Sequence, residues 1–183
     1  MRRTTLLFAL LGVLGAGQAR AATFNFVTSI DDAQELSCGF VSSARGSGTA
    51  TLNDSTGLLS WNFTFGTNGP GYTNALLGNG AETGAHIHGP AAVGVGGAGI
   101  QVALAGGSPK VGSATLGAGQ MTDLKNGLYY VNIHSAGCPG GEIRGQLLAA
   151  PLAPALPGAT PFVLGGLLAL AIALALRADR TRV

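Results

Sequence analysis

The sequence predicts an all-β domain, an antiparallel sandwich or barrel carrying one short helix. Three observations lead there. Apolar and polar residues alternate with period two over several short runs, glycine-rich turns separate those runs, and only one short segment has helical character. A run of this kind cannot bury its apolar face alone, so several must stack around a shared core.

Taken in order, the first 21 residues stand outside that domain. Arg2 and Arg3 precede an apolar stretch from Leu6 to Leu14 and the small-x-small triplet Ala19-Arg20-Ala21. This is the layout of a secretory signal peptide, which makes the export machinery a partner. The apolar stretch is too short for a membrane span. Ordinary secretion is the reading, with twin-arginine export as the alternative because the residues around Arg2-Arg3 match that signal poorly.

Residues 22–150 are the folding unit, long enough for one core. Phe24-Asn25-Phe26 opens it with a short alternation. Leu59-Ser60-Trp61-Asn62-Phe63-Thr64-Phe65 is the strongest strand signal, every odd position being apolar, and Gly66 to Gly71 ends it as a turn. Further strands are expected around His86-Ile87-His88, at Ile100–Leu104, at Tyr129–His134 and at Ile143–Leu147, with a helix of one or two turns at Gln120–Lys125. Gly94-Val95-Gly96-Gly97-Ala98-Gly99 lacks the lysine of a phosphate-binding loop and opens no helix, so it reads as a flexible loop.

After residue 150 the chain changes character. Residues 151–161 form a Pro/Ala linker, stiff and extended. Residues 162–176 are continuously apolar, and 177–183 carry Arg177, Arg180 and Arg182. A C-terminal hydrophobic helix is expected there, apolar all round rather than along one stripe. Its 15 residues reach about 22 Å, and with flanking residues and snorkelling arginine a membrane span is just achieved. The arginines then place the tail in the cytoplasm.

Composition narrows the function classes. Only 10% of residues are charged and 31 of 183 are glycine, without a three-residue period. That excludes collagen, a coiled coil and a charge-rich disordered chain. The net charge of +2 resides in the two ends: residues 22–150 hold seven acidic against four basic residues, or −3. No basic patch suits a nucleic acid. Serine, histidine and aspartate are present without a nucleophile-elbow motif, so no hydrolase is indicated.

The candidate chemistry lies in two blocks, Gly84-Ala85-His86-Ile87-His88-Gly89-Pro90-Ala91 and Tyr129-Tyr130-Val131-Asn132-Ile133-His134-Ser135. Positions i and i+2 of a strand share a face, so His86 and His88 point together, opposite Ala85 and Ile87. His134, Asn132 and Tyr130 likewise oppose Ile133, Val131 and Tyr129. If the isoleucines face the core, two adjacent strands bring three imidazoles together, a set suited to copper or zinc. The alternative is that these histidines hydrogen-bond loop carbonyls and hold turns. Cys38 and Cys138, the two cysteines of an exported domain, are expected to form a disulfide, with Cys138 as a free metal ligand the runner-up. Glu142 and Arg144 sit two apart on one strand face, as a ligand-binding ion pair or a surface pair. Asp31, Asp32 and Glu35 are an acidic group read as a solvated turn rather than a calcium loop.

The blocks Gly84–Ala91, Gly99–Leu104, Gln120–His134 and Pro139–Leu148, in that order, resemble the CHRD domain, a module named after chordin and common in bacterial exported proteins. The resemblance covers about residues 23–149. It implies a Greek-key sandwich, immunoglobulin-like or superoxide-dismutase-like, with no settled activity. Growth-factor binding does not carry over, because the chain has one copy and lacks the cysteine-rich repeats found beside it in chordin. The His-x-His strand is also similar to the copper strand of copper-zinc superoxide dismutase. Three histidines in the whole chain are too few for that enzyme's two metals. The tail resembles the PEP-CTERM sorting tails of bacterial surface proteins, with Pro154-Ala155-Leu156-Pro157 in place of Pro-Glu-Pro, which implies a sorting peptidase as a further partner. The sequence thus predicts a non-catalytic module, held at the envelope or released after tail cleavage, that binds a surface ligand. The alternative is a copper or zinc protein, redox-related, using His86, His88 and His134.

Overall fold

The computed structural model describes residues 22–68 and 72–151. Nine strands and one helix occur among them: β1 (Thr23–Ile30), β2 (Arg45–Asn53), β3 (Leu58–Gly66), β4 (Glu82–His88), β5 (Ile100–Ala103), β6 (Lys110–Thr115), α1 (Ala118–Lys125), β7 (Tyr130–Ser135), β8 (Ile143–Gln146) and β9 (Leu148–Ala149). They form two antiparallel sheets, ordered β6-β3-β2-β1-β9 and β5-β4-β7-β8. The inward faces of both contribute to one core, with Phe26, Leu52, Leu59 and Phe63 from the first sheet meeting Ile87, Val131, Ile133 and Ile143 from the second. A two-residue bridge between Asp31 and Arg144 joins the sheets at one corner.

The expected alternation in β3 is realised: Leu59, Trp61, Phe63 and Phe65 are buried. The sequence reading did not anticipate β2 and β6, and the reason is volume. Across from the large β3 side chains stand small residues of β2: Gly46 faces Phe65, Gly48 faces Phe63 and Ala50 faces Trp61. On the other flank Gly112 of β6 faces Trp61, and a Cβ there would come within 2.7 Å of the indole. The inward positions of β2 and β6 do alternate, but in residues too small to register as apolar. Lys110 of β6 is fully buried, bonded to Glu82 and to the Ala105 carbonyl.

The disulfide between Cys38 and Cys138 forms, closing a sequence separation of 100 residues, so Cys138 is no metal ligand. The predicted signal segment, all but the first residue of the linker, the C-terminal helix and the basic tail lie outside the described residues. Among the described residues, no helix is long and apolar enough to cross a membrane.

Candidate metal centre

The second sheet is polar on its outer face. Along β4, Ala85 and Ile87 turn into the core, which sends His86 and His88 to the opposite side. Along β7, Val131 and Ile133 do the same, leaving Tyr130, Asn132 and His134 on that outer face. The antiparallel register sets Gly84 opposite His134, His86 opposite Asn132 and His88 opposite Tyr130. A Cβ at Gly84 would stand 3.5 Å from the His86 ring, in ordinary contact with it.

The three imidazoles therefore converge. One ligand nitrogen from each of His86, His88 and His134 lies within 4.8 Å of the others. His86 Nδ1 and His134 Nε2 are 3.1 Å apart. A metal with nitrogens at about 2.0–2.1 Å holds them about 3.3 Å apart, so closure draws the widest pair in by up to about 1.5 Å.

Hydrogen bonds decide which nitrogens carry lone pairs. His134 Nδ1 lies 2.9 Å from the Pro139 carbonyl and His88 Nδ1 lies 3.0 Å from the Ala98 carbonyl. A carbonyl only accepts, so each Nδ1 carries the proton and donates it, and each Nε2 keeps its lone pair. The proton between the rings then belongs to His86 Nδ1. Such outer partners fix tautomer and ring orientation in metal-binding histidines. His88 also stacks on Tyr130 with centroids 5.3 Å apart, and Tyr130 in turn carries the Arg144 guanidinium at 3.5 Å.

Burial favours the neutral form of His86 and His88. Burial, then the adjoining His134 and His88, hold His86 below its ordinary value. Burial also dominates at His88 and lowers it, against an opposing contribution from the Ala98 carbonyl. Neutral imidazole is the form that ligates.

The expected Glu142–Arg144 pair does not form. Both side chains are buried, and they reach different partners. Glu142 accepts hydrogen bonds from Ser42 Oγ and from the backbone N–H groups of Gly78 and Asn79, stapling two loops to β8. Arg144 donates to the Val95 and Ala92 carbonyls and to Gln146, holding the 91–98 loop over the sheet. Two residues apart on one face, they diverge because each satisfies a different loop. Asp31 and Asp32 are likewise structural, Asp31 accepting from the Gln34 N–H and Asp32 pairing with Arg45 at 2.9 Å.

Sequence reasoning brought the three histidines together and missed what surrounds them. Glu35, which acts electrostatically on His88, comes from a loop far away in sequence. The Ala98 and Pro139 carbonyls carry no side-chain signal at all. Asn132 was legible as a member of the polar face, though not as part of the site.

The fold and this outer face define the chain as a two-sheet antiparallel β module with a histidine cluster on one sheet. The chain belongs to the CHRD domain family, whose model matches residues 26–147, a span that includes all three histidines. That family points to a β-sandwich module of non-catalytic type. No curated protein and no solved structure matches the chain.

Proposed function

We propose that this CHRD protein is an exported, envelope-held and non-catalytic module whose outer sheet face binds a copper or zinc ion through His86, His88 and His134. The observation that carries the metal reading is the convergence of three imidazoles, two of them turned by backbone carbonyls so that Nε2 offers its lone pair. Metal insertion asks only that His86 move its proton from Nδ1 to Nε2. The ligand set favours copper and zinc, for which imidazole is a preferred donor. Hydrogen bonds account for Nδ1 of His88 and His134 and for the approach of His86 to His134, but not for the approach of His88 to that pair.

Export and anchoring rest on the sequence: Arg2-Arg3 with the apolar run to Leu14, and the apolar run 162–176 followed by three arginines. The chain crosses between the sheets at β3–β4, β5–β6, β6–β7 (through α1) and β8–β9, which supports Greek-key connectivity. Metal analysis of untagged protein after loading with copper or zinc tests the site. Near-stoichiometric metal is expected, and His88→Ala is expected to lose it. A folded protein that retains no metal after loading sinks the reading.

A further inference from the structure

The sheet face that carries the histidines also carries a buried cation whose charge no carboxylate answers. Among the described residues Arg45, Lys110 and Lys125 each pair with a carboxylate. Arg144 has none within ion-pair distance, although it is only 2% exposed. Its hydrogen bonds run to the Ala92 and Val95 carbonyls and to Gln146 Oε1, all neutral oxygens. They satisfy N–H groups and leave a full positive charge in place. A buried charge without a counter-ion is costly, and its field reaches further than that of a pair.

Placement ties that charge to the histidines. The register sets Arg144 opposite Asn132 and Asn132 opposite His86, so Arg144 stands two strands, about 10 Å, from His86. Side chains shorten the path to His88. The guanidinium lies 3.5 Å over the Tyr130 ring, and that ring stacks on His88 with centroids 5.3 Å apart. Arg144 is therefore within about 9 Å of the His88 ring. Glu35 acts on His88 in the opposite sense, and less strongly than Arg144 does.

The candidate ligands bring no charge to offset it. The cluster consists of three imidazoles, with no carboxylate or thiolate among them. A dication at the histidines meets twice the repulsion from Arg144 that a monocation meets. Resting on the metal reading above, the geometry points to Cu(I) as the ion of this site, selected against Zn(II) and Cu(II) by the buried charge of Arg144. Cu(I) is satisfied by three nitrogen donors, whereas Zn(II) takes a fourth ligand. Over 10–12 Å of partly buried medium, each extra unit of charge on the ion weakens binding about tenfold. Arg144 acts through its field and touches neither the metal nor its ligands.

The test uses the full chain, untagged, loaded with Cu(I), Cu(II) or Zn(II) in separate preparations. Metal content, competition between Cu(I) and Zn(II), and the Cu(II)/Cu(I) potential are the readouts. The wild-type chain is expected to hold one Cu(I) and to keep it against excess Zn(II). Arg144→Gln should lower the potential by about 59 mV, the equivalent of a tenfold gain of Cu(II) over Cu(I) binding, and Arg144→Lys, which keeps the charge, should stay near the wild-type value. If Arg144 only holds its loop, both variants shift the potential alike, because both lose the guanidinium's forked hydrogen bonds. That result overturns the inference, and so does a wild-type chain that exchanges Cu(I) for Zn(II). Either leaves the three-histidine site standing. A chain that binds none of the three ions removes the metal reading itself, and this inference with it.

Discussion

His88 joins several roles in one ring: Nδ1–H held by the Ala98 carbonyl, one face on Tyr130, and Nε2 free inside the sheet face. The same burial that leaves Nε2 dry sets a pH dependence. His86 and His88 both titrate below the ordinary value of 6.5 in the folded chain, burial being the main cause. The unfolded chain binds protons first as pH falls, so acidification favours it. The stability these neutral rings retain is complete above pH 6.5 and declines as pH drops below it toward their lowered values. Thermal unfolding of metal-free protein should therefore show Tm falling between about pH 7 and pH 5, and less steeply in the double variant His86→Gln, His88→Gln. Parallel slopes would contradict the assignment. The histidine face itself was legible in sequence, because period two alone puts His86 with His88 and opposes them to Ala85 and Ile87. Glu35 was not, since nothing local to residues 31–37 indicates which strand their loop covers.

At the level of elements, large side chains of β3 are accommodated by small ones on both neighbours. Trp61 is flanked by Ala50 and Gly112. Gly112→Val introduces branched volume against the indole, a fixed neighbour, and overpacking of this kind costs about 1–3 kcal/mol. Trp61→Ala should cost more, about 3–5 kcal/mol, by leaving a cavity. Chemical denaturation with unchanged m-values would measure both. If Gly112→Val is neutral, Trp61 has room to move and the flanking explanation fails. This pairing also explains which strands the sequence revealed. β3 and β7 carry their alternation in large apolar residues. β2 carries it in Gly46, Gly48, Ala50 and Leu52, whose small inward volumes make sense only opposite Phe65, Phe63 and Trp61. The helix was legible as a short helical run, and it starts two residues earlier than expected, at Ala118.

At the level of the whole molecule, the disulfide links the loop that carries Glu35 to the turn that carries Pro139, across a separation of 100 residues. Cys38→Ser with Cys138→Ser should lower stability by up to about 4.7 kcal/mol on the chain-entropy account. It should also weaken metal retention, since the Pro139 carbonyl that orients His134 adjoins Cys138. A double variant with unchanged denaturation midpoint and copper content would show that the bridge is dispensable. For localisation, a cell-fractionation blot should find the full chain with membranes or the cell surface, and deletion of residues 161–183 should release it. Soluble protein with the tail intact would reject the anchor.

The sequence by itself determined that residues 22–150 make an antiparallel β domain of faintly acidic charge, that the +2 of the full chain belongs to its ends, and that the isoleucines and histidines of two strands part to opposite faces. Those properties follow from strand periodicity and composition, which are local. Only the tertiary structure decided which strands are neighbours, and hence that His134 reaches His86, that Glu142 and Arg144 serve separate loops, and that Glu35 and two carbonyls close around the histidines. Strand order and loop placement are set by how side-chain volumes fit and by where buried polar groups find partners across long separations, and no local pattern records either.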